Sequence, residues 1–205
     1  SLKSSTLAKV TLTRKRNSDV NVSYIMLQNM FTVETTDKIN WNLQNETKIL
    51  GTYSLQKATA KFGGRNWTAW FTKDVTLNEG PYKFRGLPGM IFEIYDDKNN
   101  FKFSLVKSYK LNKTYETIGI LENFGGQKAV KIPDSKLKKM MLDNYNDPLR
   151  EFKEHIKNNT DPTARFMVMG IEVKSPEQMK ELSEKVQDNL RKNYNPIEID
   201  KAVKY

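Results

Sequence analysis

The chain of 205 residues contains no cysteine and only one histidine, His155. The absence of cysteine excludes disulfides, cysteine-bound zinc, iron–sulfur clusters and thiol nucleophiles. A single histidine cannot form a histidine cluster for zinc or a Cys–His pair. His155 follows Lys153 and Glu154 on the polar side of a predicted helix, where we expect a solvated side chain. We therefore predict no metal site, no cofactor and no catalytic residue.

Long apolar runs are also missing. No run approaches the roughly 18 residues that a membrane span needs, and no signal peptide is visible. The sequence begins at Ser1-Leu2-Lys3 rather than at Met. From this start we expect that the N-terminus is processed or truncated, and that a targeting segment and some early strands have been removed.

Acidic residues are fewer than basic ones, with 24 Asp and Glu against 34 Lys and Arg and a formal net charge of +10. Such a surface attracts nucleic acid, anionic lipid, lipopolysaccharide or acidic proteins. The lysines are scattered, however, and the densest run, Arg14-Lys15-Arg16, is short. Nucleic acid is therefore disfavoured as a partner, whereas peripheral association with a membrane stays open.

The first two thirds of the chain alternate apolar and polar residues, which predicts strands. The aromatic share of 11% indicates a real core. Gly63-Gly64 predicts a tight hairpin, because both central positions can take positive φ. Alternation in the returning strand places Trp67 on one face and Trp70 on the other. The predicted strands cover residues 10–13, 20–27, 31–35, 39–43, 47–62, 65–73, 90–95, 101–109 and 115–122.

The last third of the chain has helical periodicity. Pro133-Asp134 opens a first helix, Asp147-Pro148 opens a second as N-cap and first helical residue, and Ser175 opens a third through a capping box. Residues 165–173 predict one further strand. The sum is an α+β fold. A mostly antiparallel, curved sheet of hairpins, for which a half-barrel is one arrangement, carries the C-terminal helices on or beside it. We predict a single domain over residues 1–205, β-rich over 1–125 and helical with one further strand over 126–205.

One ordered pattern within residues 39–96 is more specific than any of these signals. It includes the double glycine, Arg65 and, at the end, Asp96. Its central motif consists of Gly80, Pro81, Phe84, Gly86, Leu87, Pro88, Gly89, Met90 and Ile91. This order resembles the GLPGLI family of bacterial cell-envelope proteins, which are exported and of unknown function. Asn195-Pro196-Ile197-Glu198 resembles the closing pattern of that family.

Two positions depart from the family pattern. Met90 replaces a leucine of the name motif, which is a volume-conserving apolar exchange. Ser54 stands where many relatives carry a cysteine, so any role of that thiol is absent here. The resemblance implies a location in the cell envelope, in the periplasm or associated with the outer membrane.

Two interpretations of the Gly-Pro loop stay open. In the first, the loop is a turn whose Phe84 and Leu87 fill the open end of the sheet. In the second, the rigid loop displays Lys83 and Arg85 beside Trp67 and Trp70. A guanidinium next to an indole suits an anionic or aromatic ligand, so these four residues are the candidate ligand-binding residues.

Three functions follow as hypotheses. The leading one is a non-catalytic cell-envelope protein that binds a small ligand or another envelope protein. The second is a hydrolase acting on peptide or glycan through carboxylates or a Ser–Lys pair, although no Gly-x-Ser-x-Gly elbow is present. The third is a lipid or lipopolysaccharide carrier or binder driven by the basic surface. The sequence predicts no oligomeric state.

Overall fold

The computed structural model describes residues 10–14, 18–27, 29–109, 112–113, 128–161, 163–168 and 170–205. These residues form two compact units. The β unit comprises the described residues up to Ile132 together with Pro196–Ala202, and the helical unit comprises Pro133–Asn195 and Val203–Tyr205. That the chain is a single domain stays a prediction.

Eleven strands, three α-helices and one short 3-10 helix lie within the described residues, so the predicted α+β class is confirmed. The strands are β1 (Val10–Arg14), β2 (Val20–Met26), β3 (Met30–Thr36), β4 (Asn42–Leu50), β5 (Tyr53–Phe62), β6 (Arg65–Thr72), β7 (Met90–Asp96), β8 (Lys102–Ser104), β9 (Val130–Lys131), β10 (Met167–Val168) and β11 (Ile171–Glu172). The helices are α1 (Asp134–Asn146), α2 (Arg150–Asn158) and α3 (Pro176–Asn193), and the 3-10 helix is Ile199–Lys201.

The β unit contains two sheets. One has the order β1-β2-β3-β9, in which β9 joins β3 in parallel, and the other has the order β4-β5-β6-β7-β8 with antiparallel neighbours throughout. Tight turns explain the sequential order, since Gly63 and Gly64 have φ of 61° and 74° and confirm the predicted hairpin. The single strand predicted over residues 47–62 is wrong, because Gly51 with φ of 59° turns the chain between β4 and β5. The described sheets are not closed into a barrel.

Side chains of β5 and β6 alternate between two faces of the five-stranded sheet. The inner face carries Ala58, Trp67 and Ala69, which are buried, and the outer face carries Thr59, Thr68 and Trp70, which are partly exposed. Trp67 and Trp70 therefore lie on opposite faces, as predicted. The core against the inner face contains Phe71, Phe84, Leu87, Ile91, Ile94, Phe101 and Ile197.

The helical unit confirms one predicted helix start and corrects another. The Ser175 hydroxyl accepts a hydrogen bond from the Gln178 amide at 3.2 Å, which caps α3 as predicted. Helix α2 begins at Arg150 rather than at Pro148, and Asp147 pairs with Lys153 at 2.7 Å instead of capping the helix. None of the helices in the described part of the chain combines the length and apolar content that a membrane crossing requires.

Three further strand predictions differ in outcome. The single strand predicted over residues 165–173 is a small hairpin of β10 and β11, which closes at Gly170 with φ of 78°. The strand predicted over residues 115–122 lies outside the described residues. The long strand predicted over residues 101–109 is reduced to the three residues of β8.

Candidate functional site

The Gly-Pro loop that joins β6 to β7 folds back against the inner face of the sheet. The Phe84 amide donates to the Pro81 carbonyl at 3.0 Å, and the Gly86 amide donates to the Asn78 carbonyl at 3.2 Å. The Phe84 ring lies 4.4 Å from that of Trp67, and both side chains are buried. Leu87 is buried in the same cluster. Phe84 and Leu87 are thus core side chains of the inner face, and that they fill an open end of the sheet stays a prediction.

Two glycines of the motif are required by close approaches of the backbone. A Cβ on Gly89 would lie 1.9 Å from the Thr72 carbonyl oxygen, and Gly89 has φ of 148°. A Cβ on Gly80 would lie 2.7 Å from the Phe84 carbonyl oxygen and from Ile91. The glycines of the motif therefore allow the backbone of the loop to pass close to the end of β6 and to its own residue Phe84.

Behind the loop lies a buried four-charge cluster, which consists of Asp37, Lys83, Glu198 and Lys201. The Lys83 ammonium lies 3.0 Å from Asp37 and 2.7 Å from Glu198. Lys201 lies 3.2 Å from Asp37 and 2.5 Å from Glu198. Tyr82 donates its hydroxyl to Glu198 at 2.6 Å. Two cations and two anions balance one another here. Lys83, Asp37 and Glu198 are shielded from water, whereas the Lys201 side chain is 36% exposed.

The cluster holds its carboxylates in the ionised form. Burial opposes the ionisation of Asp37, but a hydrogen bond from Thr35 and the charges of Lys83 and Lys201 outweigh it and lower its pKa to about 2. Burial likewise opposes the ionisation of Glu198, but Lys83, Lys201 and Tyr82 lower its pKa. These directions suit fixed ion pairs, since a general acid or base needs a pKa near the working pH.

A second buried pair ties the end of the β unit to the sheet. Arg65 lies 3.0 Å from Asp96 and donates to the carbonyls of Pro196 at 2.8 Å and Ile197 at 3.0 Å. The Phe101 amide donates to Asp96 at 2.8 Å. Arg65 therefore links the hairpin of β5 and β6 to the segment Pro196–Ala202.

The same segment lies directly on the double glycine of that hairpin. The Ile199 amide donates to the Gly63 carbonyl at 2.7 Å. A Cβ on Gly63 would lie 2.8 Å from Glu198 Cα, and one on Gly64 would lie 2.8 Å from the Ile199 side chain. The two glycines therefore serve the docking of Pro196–Ala202 as well as the turn.

The four candidate ligand-binding residues do not converge. Trp67 and Lys83 are buried, with exposed fractions of 1% and 3%. Trp70 lies on the outer face, where the Lys48 ammonium is 4.6 Å from its ring. The Arg85 guanidinium lies 3.2 Å from Asp19. The four side chains do not share one surface. That they bind a common ligand therefore stays a prediction without structural support.

Sequence reasoning missed most partners in the four-charge cluster. Asp37 contacts Lys201 across 164 positions, and local patterns carry no information on such pairs. Glu198 alone had a signal, since it belongs to the closing pattern that resembles the family. The Asn21 side chain is also buried there and donates to Asp37 at 3.2 Å.

The outer face of the five-stranded sheet bears a cavity of about 490 Å³. Its lining combines amides, hydroxyls, one ammonium and one carboxylate. The side chains that line it on this face are Asn40, Asn42, Thr59, Lys61, Asn66, Thr68 and Asp97, and Ala60 and Trp67 contribute to its floor. Binding sites for small molecules typically have volumes of about 300–1,000 Å³.

Register explains why the polar groups meet. Asn42 pairs with Thr59, which pairs with Thr68, so that these three side chains form a row across β4, β5 and β6. Lys61 pairs with Asn66, whose side-chain amide donates to Asp97 at 2.8 Å. The cavity therefore arises from strand pairing, which single-sequence patterns do not reveal.

Among the described residues, no group of three or more His, Asp or Glu side chains is arranged to hold a metal ion. The lining of the cavity contains a single carboxylate, Asp97, and its oxygen already accepts the Asn66 amide. The arrangement can therefore hold a ligand through hydrogen bonds.

Comparisons with known proteins identify a similar family of unknown function. Residues 63–93 match the model of a family described as a protein of unknown function, Porph_ging. That range contains the double glycine and the whole Gly80–Ile91 motif, and it is consistent with the resemblance to a bacterial family of unknown function. No curated protein matches the sequence.

Two solved structures are similar in part. They are crystal forms of PNGF-II in space groups C2 and P21, with 14% and 13% sequence identity and TM-scores of 0.46 and 0.45. Each match covers 62% of this chain. It spans only about a quarter of the PNGF-II chain, with coverage of 24% and 23%.

Proposed function

We propose that this chain is a non-catalytic binding protein of the bacterial cell envelope, and that it holds a polar ligand in the outer-face cavity. The observation that carries the proposal is the lining of that cavity. Amides and hydroxyls from three adjacent strands surround a volume of about 490 Å³, which suits a small molecule or one end of a larger one.

The distribution of titratable groups supports binding over catalysis. The carboxylates Asp37 and Glu198, whose pKa values are lowered, lie in the four-charge cluster, where each faces two cations. Hydrolysis needs an acid, a base or a nucleophile that converges on one point of an open site. Among the described residues that line the cavity, the titratable side chains are Lys61 and Asp97, and Asp97 is exposed and bound to Asn66.

The envelope location rests on the Gly80–Ile91 motif and its resemblance to the GLPGLI family, with support from the match over residues 63–93. We expect the full-length protein to fractionate with the periplasm or outer membrane of its host. Recovery in the cytosolic fraction would contradict this part of the proposal.

The binding proposal is tested by native mass spectrometry of the protein purified gently from envelope extract, before and after organic extraction. We expect a discrete adduct on the wild-type chain. The adduct should be lost in the double variant Asn66→Ala/Thr68→Ala, because both side chains line the cavity, and kept in Asn45→Ala, an exposed asparagine of β4 outside the lining. An adduct that survives in the double variant would place binding elsewhere, and a bare wild-type mass would contradict the proposal.

A further inference from the structure

We infer that the ligand of the outer-face cavity is a saccharide, a step that rests on the proposed function. The charges of the lining are the first argument. Among the described residues that line it, Lys61 and Asp97 are the ionised side chains, and they have opposite signs. Such a lining gives no net attraction to a phosphate, a carboxylate or a cation, so the ligand it fits is uncharged.

Sheet topology gives the second argument. Strands β5 and β6 form the floor of the cavity, and both have neighbours on either side. Their backbone amides and carbonyls are used within the sheet, so a peptide cannot add to these two strands, although β4, which carries Asn42, is an edge strand. Recognition over the floor must come from side chains on the face.

The side chains available are matched to hydroxyl groups. A threonine hydroxyl both donates and accepts, and an asparagine amide offers two donors and a carbonyl acceptor. The row Asn42, Thr59 and Thr68 presents both functions side by side. Sugar hydroxyls also donate and accept, so each can be satisfied along this row. A lipid chain would leave these groups without partners, which is unfavourable.

Two aromatic rings complete the face. Register continues the same row from Thr68 to Tyr95 on β7, and Trp70 lies two residues from Thr68 on the same side of β6. Both rings are partly exposed, and the Lys48 ammonium lies 4.6 Å from the centre of the Trp70 ring, so Tyr95 is the ring with the freer face. Directly opposite side chains have Cβ atoms about 5 Å apart, so the Tyr95 ring borders the hydroxyl row. Aromatic faces pack against apolar surface, and the C–H face of a pyranose supplies it.

The dimensions favour more than one sugar ring. The row crosses four strands, β4 to β7, at a spacing of about 4.8 Å, which gives a length of about 14 Å. The polar end at Asn42 and the aromatic end at Tyr95 would contact successive rings. A short neutral oligosaccharide is therefore the ligand class that the face fits.

The test is titration of the intact ¹⁵N-labelled protein with four neutral probes, with amide chemical shifts as the readout. The probes are fully N-acetylated chitotetraose, cellotetraose, mannotetraose and, as a non-sugar of similar length, tetra-alanine blocked at both ends by acetyl and amide groups. We expect at least one tetrasaccharide to shift the amides of residues 59–61, 66–68 and 95–97 in a saturable way, and tetra-alanine to leave them unchanged.

Variants then assign the contacts. Thr68→Ala and Tyr95→Ala should each raise the Kd for the bound sugar by about 3- to 10-fold, the range expected for one lost hydrogen bond or ring contact. Tyr109→Ala is the matched control, since Tyr109 is 72% exposed and outside the cavity, and its Kd should equal that of the wild type. A melting temperature within a few degrees of the wild type keeps folding defects apart from binding defects.

The outcomes separate this inference from the proposed function. If tetra-alanine alone shifts the cavity amides, the inference of a saccharide ligand is wrong, but the cavity is still a binding site. If none of the four probes shifts the cavity amides, but an adduct from extract still depends on Asn66 and Thr68, the ligand is not a saccharide and the cavity is still a binding site. Sugar-induced shifts confined to other amides would overturn the assignment to this face.

Discussion

At the scale of single residues, Lys83 is the side chain on which the buried charge of the β unit depends. Its ammonium contacts both Asp37 and Glu198 and is almost completely shielded from water. Removal of one partner of a buried ion pair leaves an uncompensated charge, which costs more than the pair itself contributes. The stability of the unit is therefore sensitive to this one lysine.

We predict that Lys83→Met lowers the free energy of unfolding by about 3–5 kcal/mol, as measured by urea denaturation. The matched control is Lys131→Met. The ammonium of Lys131 lies 2.7 Å from Glu34, but its side chain is 66% exposed, so the loss should stay below about 1 kcal/mol. Equal losses in the two variants would contradict the role given to the buried cluster.

Gly89 is the glycine of the loop at which a Cβ would make the shorter backbone contact, 1.9 Å against 2.7 Å at Gly80. Its φ of 148° and the approach of the Thr72 carbonyl both exclude a Cβ. We expect Gly89→Ala to destabilise the protein by about 3 kcal/mol or more, because the crossing of the loop over β6 must open. Gly51→Ala is the control, since Gly51 also has positive φ but nothing within 4 Å, and we expect about 1–2 kcal/mol there. Urea denaturation of both variants decides, and a similar cost at the two sites would refute the steric argument.

At the scale of elements, the segment Pro196–Ala202 completes the core of the β unit. Ile197 is 4% exposed and packs with the inner-face cluster, whereas Ile199, two residues on, is 44% exposed. We predict that Ile197→Ala lowers the free energy of unfolding by about 2–4 kcal/mol through the cavity that it leaves, and that Ile199→Ala costs less than about 1 kcal/mol. Thermal or urea denaturation measures both. The reverse order would mean that the segment does not dock as described.

The ionisable groups buried around this segment make the stability of the β unit depend on pH. Asp37, Glu198 and Asp96 have lowered pKa values in the folded protein, so their contribution is present above their unfolded values of about 4 and lost as the pH falls toward the folded ones, about 2 for Asp37. Burial and the charge of Glu198 raise the pKa of Tyr82, so its contribution is lost as the pH rises above its unfolded value of about 10.

We therefore expect the free energy of unfolding to be highest between about pH 4 and about pH 10 and to fall on both sides. Urea denaturation from about pH 2 to about pH 11 measures it, since that range includes both expected losses. The variant Asp37→Asn should be less stable than the wild type at neutral pH and should lose less on acidification, because one of the linked carboxylates is gone. If the free energy of unfolding of the variant falls as steeply below about pH 4 as that of the wild type, Asp37 is not one of the linked carboxylates.

Elements were predictable where the information is local. Alternation predicted β1–β3, β6 and β7, the double glycine predicted the β5–β6 hairpin, and Ser175 predicted the start of α3. Errors arose at single turn residues. Gly51 and Gly170 each fold a predicted strand into a hairpin, since one residue with positive φ suffices to reverse the chain.

At the scale of the whole molecule, neither the four-charge cluster nor the outer-face cavity could be derived from local patterns. The cluster joins Asp37 to Glu198 and Lys201, which lie more than 160 positions away in the sequence. Asp37 and Lys201, for example, are 164 positions apart. The cavity depends on the register of three strands. Register follows from turns and from which face is buried, and an error of one residue would send the polar row to the other side.

Because the net charge is +10, two kinds of binding by the whole molecule can be told apart by their dependence on salt. Attraction to a polyanion through scattered lysines is screened by salt, whereas hydrogen bonds in a cavity whose two charges cancel are not. We predict that affinity for a neutral tetrasaccharide changes less than about 2-fold between about 50 mM and about 500 mM NaCl, and that binding to vesicles of anionic lipid falls by about 10-fold or more. Isothermal titration and vesicle sedimentation on the same protein measure the two. A steep salt dependence of the sugar would mean that the basic surface binds it in place of the cavity.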